Sequence, residues 1–171
     1  MPFTSAVLYG FVALFVALAV AVPWACHQIH PLAGPVLLPL FFFVIMAGLL
    51  CGWRAGLLVG ILTPVVSFSI SGLPLPALMP RIITEAACYG FFAGLFVERY
   101  TTNAVIAIAG TQILGRLCTW LVLSLPLLAV AHPFSEIWTA VTLGWPGIVL
   151  QLVVLPLILK HLPPRSVRNV L

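Results

Sequence analysis

Apolar residues fill this chain in six long runs, separated by short stretches rich in Pro, Gly and polar groups. The runs extend roughly from Phe3 to Val22, Val36 to Cys51, Ala55 to Ile70, Met79 to Val97, Ala104 to Ala131 and Ile137 to Leu159. None shows the period-two alternation of a membrane barrel strand, so each is expected to be a helix. Crossing a bilayer takes about 20 apolar residues, with some latitude. The second and third runs are short. Fused, they would form a helix of about 35 residues, on the order of 50 Å long and too long for a hydrocarbon layer of about 30 Å. Gly52-Trp53-Arg54 is therefore expected to be a tight hairpin at one membrane face, with Trp53 and Arg54 as aromatic and charged anchors. The fold class that follows is an all-α integral membrane protein, a compact bundle of six transmembrane helices forming one domain over residues 1–171.

Composition supports this. Of 171 residues, 63% are hydrophobic and 6% charged, with a mean hydropathy of +1.26. A soluble domain carries about 25% charged residues, so the outer surface here must face lipid. The first run follows MPFTS, which has no basic residue, and five comparable runs come after it; a cleaved signal peptide is not expected. Cysteines 26, 51, 88 and 118 form no close CxxC pair, which argues against a disulfide framework or structural zinc. The net charge of +4 is too dispersed for nucleic-acid binding. Instead the basic residues report topology. Arg54, Arg99, Lys160, Arg165 and Arg168 fall on one side, whereas the opposite loops, about 23–35, 71–78 and 132–136, contain no Lys or Arg. The positive-inside rule then places both termini in the cytoplasm, in a cytoplasmic (inner) membrane.

Small residues form stripes. Ala6, Gly10, Ala13, Ala17 and Ala21 share one face of the first helix, suited to close approach by another helix inside the bundle or on a separate protein. Gly48, Gly52, Gly56 and Gly60 read as two short motifs, one in each arm of the hairpin, and Gly90 with Gly94 forms a third.

The candidate chemistry is sparse and therefore conspicuous. Arg81 and Glu85 lie four residues apart on the fourth helix, and Arg116 lies near the middle of the fifth. A charge in hydrocarbon is costly, about 2.5–3.5 kcal/mol on insertion scales, so these side chains should face the bundle interior or a wet cavity. Arg81 and Glu85 are placed to pair. Two arginines against one glutamate leave a positive surplus, which favours an anionic ligand group. Glu85 either binds a ligand amine or amide or locks an arginine in place. Trp24, in the first outer loop, anchors at the interface or stacks on a flat ligand. Tyr89 is a candidate stacking or lid residue, and Gln112 and His30 complete the substrate-binding set. The amides of Gln112 and Gln151 need partners. His27 and His30 have no nearby carboxylate, so no metal site is expected. Cys88 is a small packing residue or a soft ligand to a metal-containing substrate such as a corrinoid. No Ser-His-Asp order, HExxH, Walker motif or dinucleotide fingerprint is present, so the protein is not expected to be an enzyme.

One segment carries a family likeness, PVLLPLFFFVIMAGLLCGWRAGLLVGILTPVVSFSISGLPLPALMPRIITEAACYGFFAGL, from Pro35 to Leu95. It resembles the substrate-binding S component of energy-coupling factor (ECF) vitamin transporters. The matching elements are Gly48, Gly52, Gly56, Gly60, Pro64, Ser67, Gly72, Pro74, Met79, Pro80, Glu85, Tyr89, Gly90 and Gly94. Ala13, Ala17 and Ala21 match that family's AxxxA face, which contacts a shared transmembrane partner. Arg81 departs from the pattern. The resemblance implies high-affinity capture and uptake of a small water-soluble vitamin or related metabolite, bound in the outer half of the bundle under loops 1, 3 and 5. It implies no permanently bound cofactor; ATP would be consumed by two ATPase subunits joined to a transmembrane T component. The alternatives are a non-transporting membrane scaffold, or a solitary cobalamin-type S component with Cys88 as cobalt ligand.

Overall fold

The computed structural model describes residues 6–100, 103–125 and 133–161. The expected Arg165 and Arg168 signals, the end of the fifth run and the first residue of the fifth loop lie outside these residues. Within them the chain is helical, with no strand. The helices are α1 (Ala6–Ile29), α2 (Ala33–Leu37), α3 (Pro39–Cys51), α4 (Trp53–Ser71), α5 (Met79–Tyr100), α6 (Ala104–Leu123) and α7 (Pro133–His161), with a 3-10 turn at Pro76–Leu78. Taking α2 and α3 as one broken column, six columns make the bundle. Five are long and apolar enough to cross a membrane: α1, Ala33–Cys51, α4, α6 and Phe134–His161.

The exception is α5, whose 22 residues include Arg81, Glu85, Glu98 and Arg99. Glu98 and Arg99 are exposed in its last turns, and it tolerates Arg81 and Glu85 because it packs against α3, α4 and α6 at once. Glycine makes that position accessible. A Cβ on Gly48 would stand 2.5 Å from the Gly90 carbonyl oxygen, and one on Gly60, Gly56, Gly90 or Gly94 would collide with the facing backbone of α5 or α4. The glycine motifs thus bring the arms of the hairpin together and seat both on α5.

The turn at Gly52 forms as expected. Its φ of 87° and ψ of 173° suit only glycine, and the Glu98 carboxylate sits directly over it, accepting the Trp53 N–H at 3.3 Å. That carboxylate caps the positive N-terminus of α4. Arg54 stacks over the Trp53 ring at 5.3 Å, as suits an interface. At the opposite end, Gly72 closes α4 with φ 71°.

Two expectations change and one open choice is decided. First, the segment read as loop 1 is mostly helical: α1 continues through buried Pro23 to Ile29, and α2 follows after a short turn. A membrane helix absorbs such a proline because neighbouring groups satisfy the freed backbone. Second, α7 starts at Pro133, so Glu136 belongs to a helix and not to a loop. Third, the small-residue stripe of α1 does not pack the bundle. Ala6, Gly10, Ala13, Ala17 and Ala21 are all exposed, while Val12, Phe15, Val16, Ala19 and Val20 are buried on the other face.

Candidate functional site

The site grows from two helical repeats. On α5, Glu85 and Tyr89 are four residues apart, and the Tyr89 hydroxyl donates to Glu85 Oε1 at 2.8 Å. On α6, Gln112 and Arg116 have the same spacing, and Arg116 Nη1 donates to Gln112 Oε1 at 2.8 Å. Antiparallel packing of α5 and α6 brings the two pairs face to face. Gly115 leaves room for the Tyr89 ring, which meets Phe41 of α3 edge-on at 5.1 Å. Arg116 lies 5.7 Å over that ring, and its Nε is 3.6 Å from Glu85 Oε1.

The cluster then crosses to α7. Gln112 Nε2 donates to Gln151 Oε1, and Gln151 Nε2 donates to the Leu38 carbonyl at 3.3 Å. Leu38 forms the break between α2 and α3, in a left-handed conformation with φ 51° that is rare outside glycine. One chain of polar contacts therefore joins α5, α6 and α7 to the broken column. Such interhelical bonds average only about 0.6 kcal/mol each in membranes, so the network specifies registry more than it adds stability.

Burial is deep. Glu85 is 2% exposed, Gln112 5%, and Tyr89 and Gln151 are fully enclosed. Glu85 lies six residues into α5 and Arg116 seven residues before the end of α6, each about 10 Å below its helix end. Despite the enclosure, the donors are not all met. Arg116 Nε and Nη2, together with Arg81 Nε and Thr63 Oγ1, are buried without a hydrogen-bond partner. An unmet buried donor costs about 1–3 kcal/mol.

Of the two arginines open to Glu85, Arg81 is not the one it meets. Arg81 Nη1 donates to the Glu136 backbone carbonyl at 3.1 Å and lies 3.9 Å from Glu136 Oε2. Glu85 faces Arg116 instead. The expected surplus of positive charge also disappears, since each arginine has a carboxylate beside it. Glu136 was the missing member. It is one of three acidic residues in the chain, and a whole-chain count of acids against buried bases points to it.

The remaining candidates lie apart. Trp24 is half exposed on the outer surface of α1. His30 is exposed, and its Nδ1 accepts the Leu32 N–H at 3.1 Å, so it shapes the turn before α2. His27 bonds the Pro31 carbonyl at 3.1 Å and packs on Gly34. Tyr89 is a core residue, not a lid. Cys88 faces Cys118 and Thr119 on α6. Among the described residues no group of three His, Cys, Asp or Glu side chains converges. Between α6 and α7 runs an open groove of about 360 Å³, lined by Ile113, Leu117, Trp120, Phe134, Ile137 and the stem of Arg116.

Fold and site together define a compact multi-span helical membrane protein with a buried polar cluster, of the size and shape of small membrane transporters. Comparisons carry the identification no further: no protein-family model, curated protein or solved structure matches the chain.

Proposed function

We propose that this chain is the substrate-binding membrane component of an ECF-type uptake system, capturing a small water-soluble vitamin or related metabolite. The observation that carries the reading is Arg116. A largely buried guanidinium in a membrane bundle, with two nitrogens lacking hydrogen-bond partners, has donors to offer a ligand acceptor. Substrate-contacting roles fall to Arg116 and Gln112, with Glu85 balancing the charge of Arg116 and Tyr89 holding Glu85. Arg81 and Glu136 tie α5 to α7 at the mouth, so parting them is the natural way to open the closed cluster. The proline-bearing end of the bundle is then the outer one, with both termini in the cytoplasm. The protein has no catalytic role of its own. Its exposed face of Ala13, Ala17 and Ala21 docks on a transmembrane T component driven by two ATPases, and that outward orientation favours docking over internal packing.

The test is mass spectrometry of protein purified gently in lipid nanodiscs. Wild type retains a stoichiometric small polar molecule, and the charge-balanced double variant Glu85→Gln/Arg116→Gln does not. Equal retention by both, or none by wild type together with no uptake in cells, overturns the reading. One observation favours a second reading, a non-transporting scaffold: both arginines already face carboxylates. A scaffold requires no ligand and keeps its partners in the double variant.

A further inference from the structure

Arg116 shows which chemical group its ligand presents. The guanidinium offers two donor edges for a planar anion, and one of them is spent: Nη1 is held by Gln112. Gln112 is held by Gln151, and Gln151 by the Leu38 carbonyl, so the plane of the guanidinium is fixed. The two nitrogens left without hydrogen-bond partners are Nε and Nη2. These carry the parallel N–H pair that matches the two oxygens of a carboxylate. Glu85 Oε1 stands beside this edge at 3.6 Å, near enough for charge neutralisation but beyond a hydrogen bond, while Tyr89 holds it back at 2.8 Å. The edge is oriented and charged, and no hydrogen bond satisfies it.

Charge balance adds a second consequence. The ionisable groups facing Glu85 are Tyr89 and Cys88 on α5 and Arg116 on α6, with Cys118 reached through Cys88. Arg81, one turn away on α5, is occupied with Glu136 of α7. Cys51 of α3 and Arg54 of α4 lie at the far end of the bundle. Arg116 is thus the single cation at this level among the described residues, and it cannot give up its proton. A ligand carboxylate on its free edge puts two anions beside one cation in a poorly polarisable interior. Like charges so placed do not both stay ionised.

We propose that the Nε/Nη2 edge of Arg116 takes a monocarboxylate in bidentate fashion and that Glu85 binds one proton from solvent as the ligand enters. The proposal rests on the capture reading above and extends it to proton-linked binding. Before binding, Arg116 and Glu85 sum to zero charge. After it, Arg116, the ligand carboxylate and a neutral Glu85 again sum to zero. Tyr89 keeps its hydrogen bond throughout, donating to Oε1 while the new proton resides on Oε2. A phosphate dianion is disfavoured, because a second proton or cation would be required and Arg81 is already engaged.

Equilibrium dialysis with labelled benzoate, a flat monocarboxylate that stays anionic from pH 6 to 8, tests this on the full chain in nanodiscs. Because binding takes up a proton, affinity falls as pH rises, with Kd increasing by up to about tenfold per pH unit. Glu85→Gln binds benzoate with little pH dependence. In weakly buffered solution wild type takes up about one proton per benzoate bound, a readout that needs no variant. A flat profile for wild type, a slope unchanged in Glu85→Gln, or no proton uptake overturns the proton exchange and leaves ligand capture standing. Saturable binding retained by Glu85→Gln/Arg116→Gln, or absent from both wild type and Glu85→Gln, overturns the Arg116 assignment. Capture of the physiological ligand is decided separately, by the mass spectrum of the retained molecule.

Discussion

Arg116 and Glu85 show how two buried charges depend on each other. Removing one partner of such a pair strands the other, which costs about 3–5 kcal/mol, whereas replacing both by neutral groups is far less damaging. Arg116→Ala is therefore expected to lose thermal stability as well as ligand, while Glu85→Gln/Arg116→Gln recovers most of the stability and none of the binding. Thermal unfolding in nanodiscs, read beside ligand retention, separates the two effects. Tyr89→Phe deletes one donor to a carboxylate and is expected to cost about 1.5–3 kcal/mol by the same assay. The residue types in this cluster were legible in the chain, because an ionisable group within an apolar run stands out. Their partners were not. Arg81 and Glu85 sit one turn apart, yet each turns to a different helix, since α6 and α7 offer Arg116 and Glu136 at matching heights.

Helices pack here by two kinds of small-residue stripe that look alike in sequence. In α3, α4 and α5 the glycines face inward, where backbones touch. Gly56→Leu or Gly90→Leu is expected to abolish the monodisperse folded species on size-exclusion chromatography. Gly10→Ala should be silent, because nothing lies within 4 Å of the added carbon. The α1 stripe faces outward. Ala13→Leu/Ala17→Leu should change stability by no more than about 0.5 kcal/mol, as for exposed substitutions generally. If the proposed docking holds, co-purification of a transmembrane partner is expected to be lost. Direction could not be read from spacing, since a four-residue repeat of alanine serves a neighbour inside the bundle as well as one outside it. The outcome depends on which face meets α3 and α4, and in α1 that is the face of Phe15 and Val16.

At the scale of the whole molecule, the proposed orientation predicts opposite accessibility at the two ends. In a cysteine-free background, a cysteine placed at Leu75 should react with a membrane-impermeant thiol reagent from outside intact cells. One placed at Arg99 should react only after the cells are opened. The helical columns, the hairpin at Gly52 and the all-α class were determined by the sequence alone, because lipid compels continuous apolar helices whose backbones bond internally. The tertiary structure alone decided that α5 is the central helix, that loop 1 is largely helical, that the α1 stripe is turned to the exterior and that Glu136 neutralises Arg81. The physical reason is the same in each case. Hydropathy acts on every residue of a run in sum, whereas charge pairing and close packing depend on which helices become neighbours and at what height.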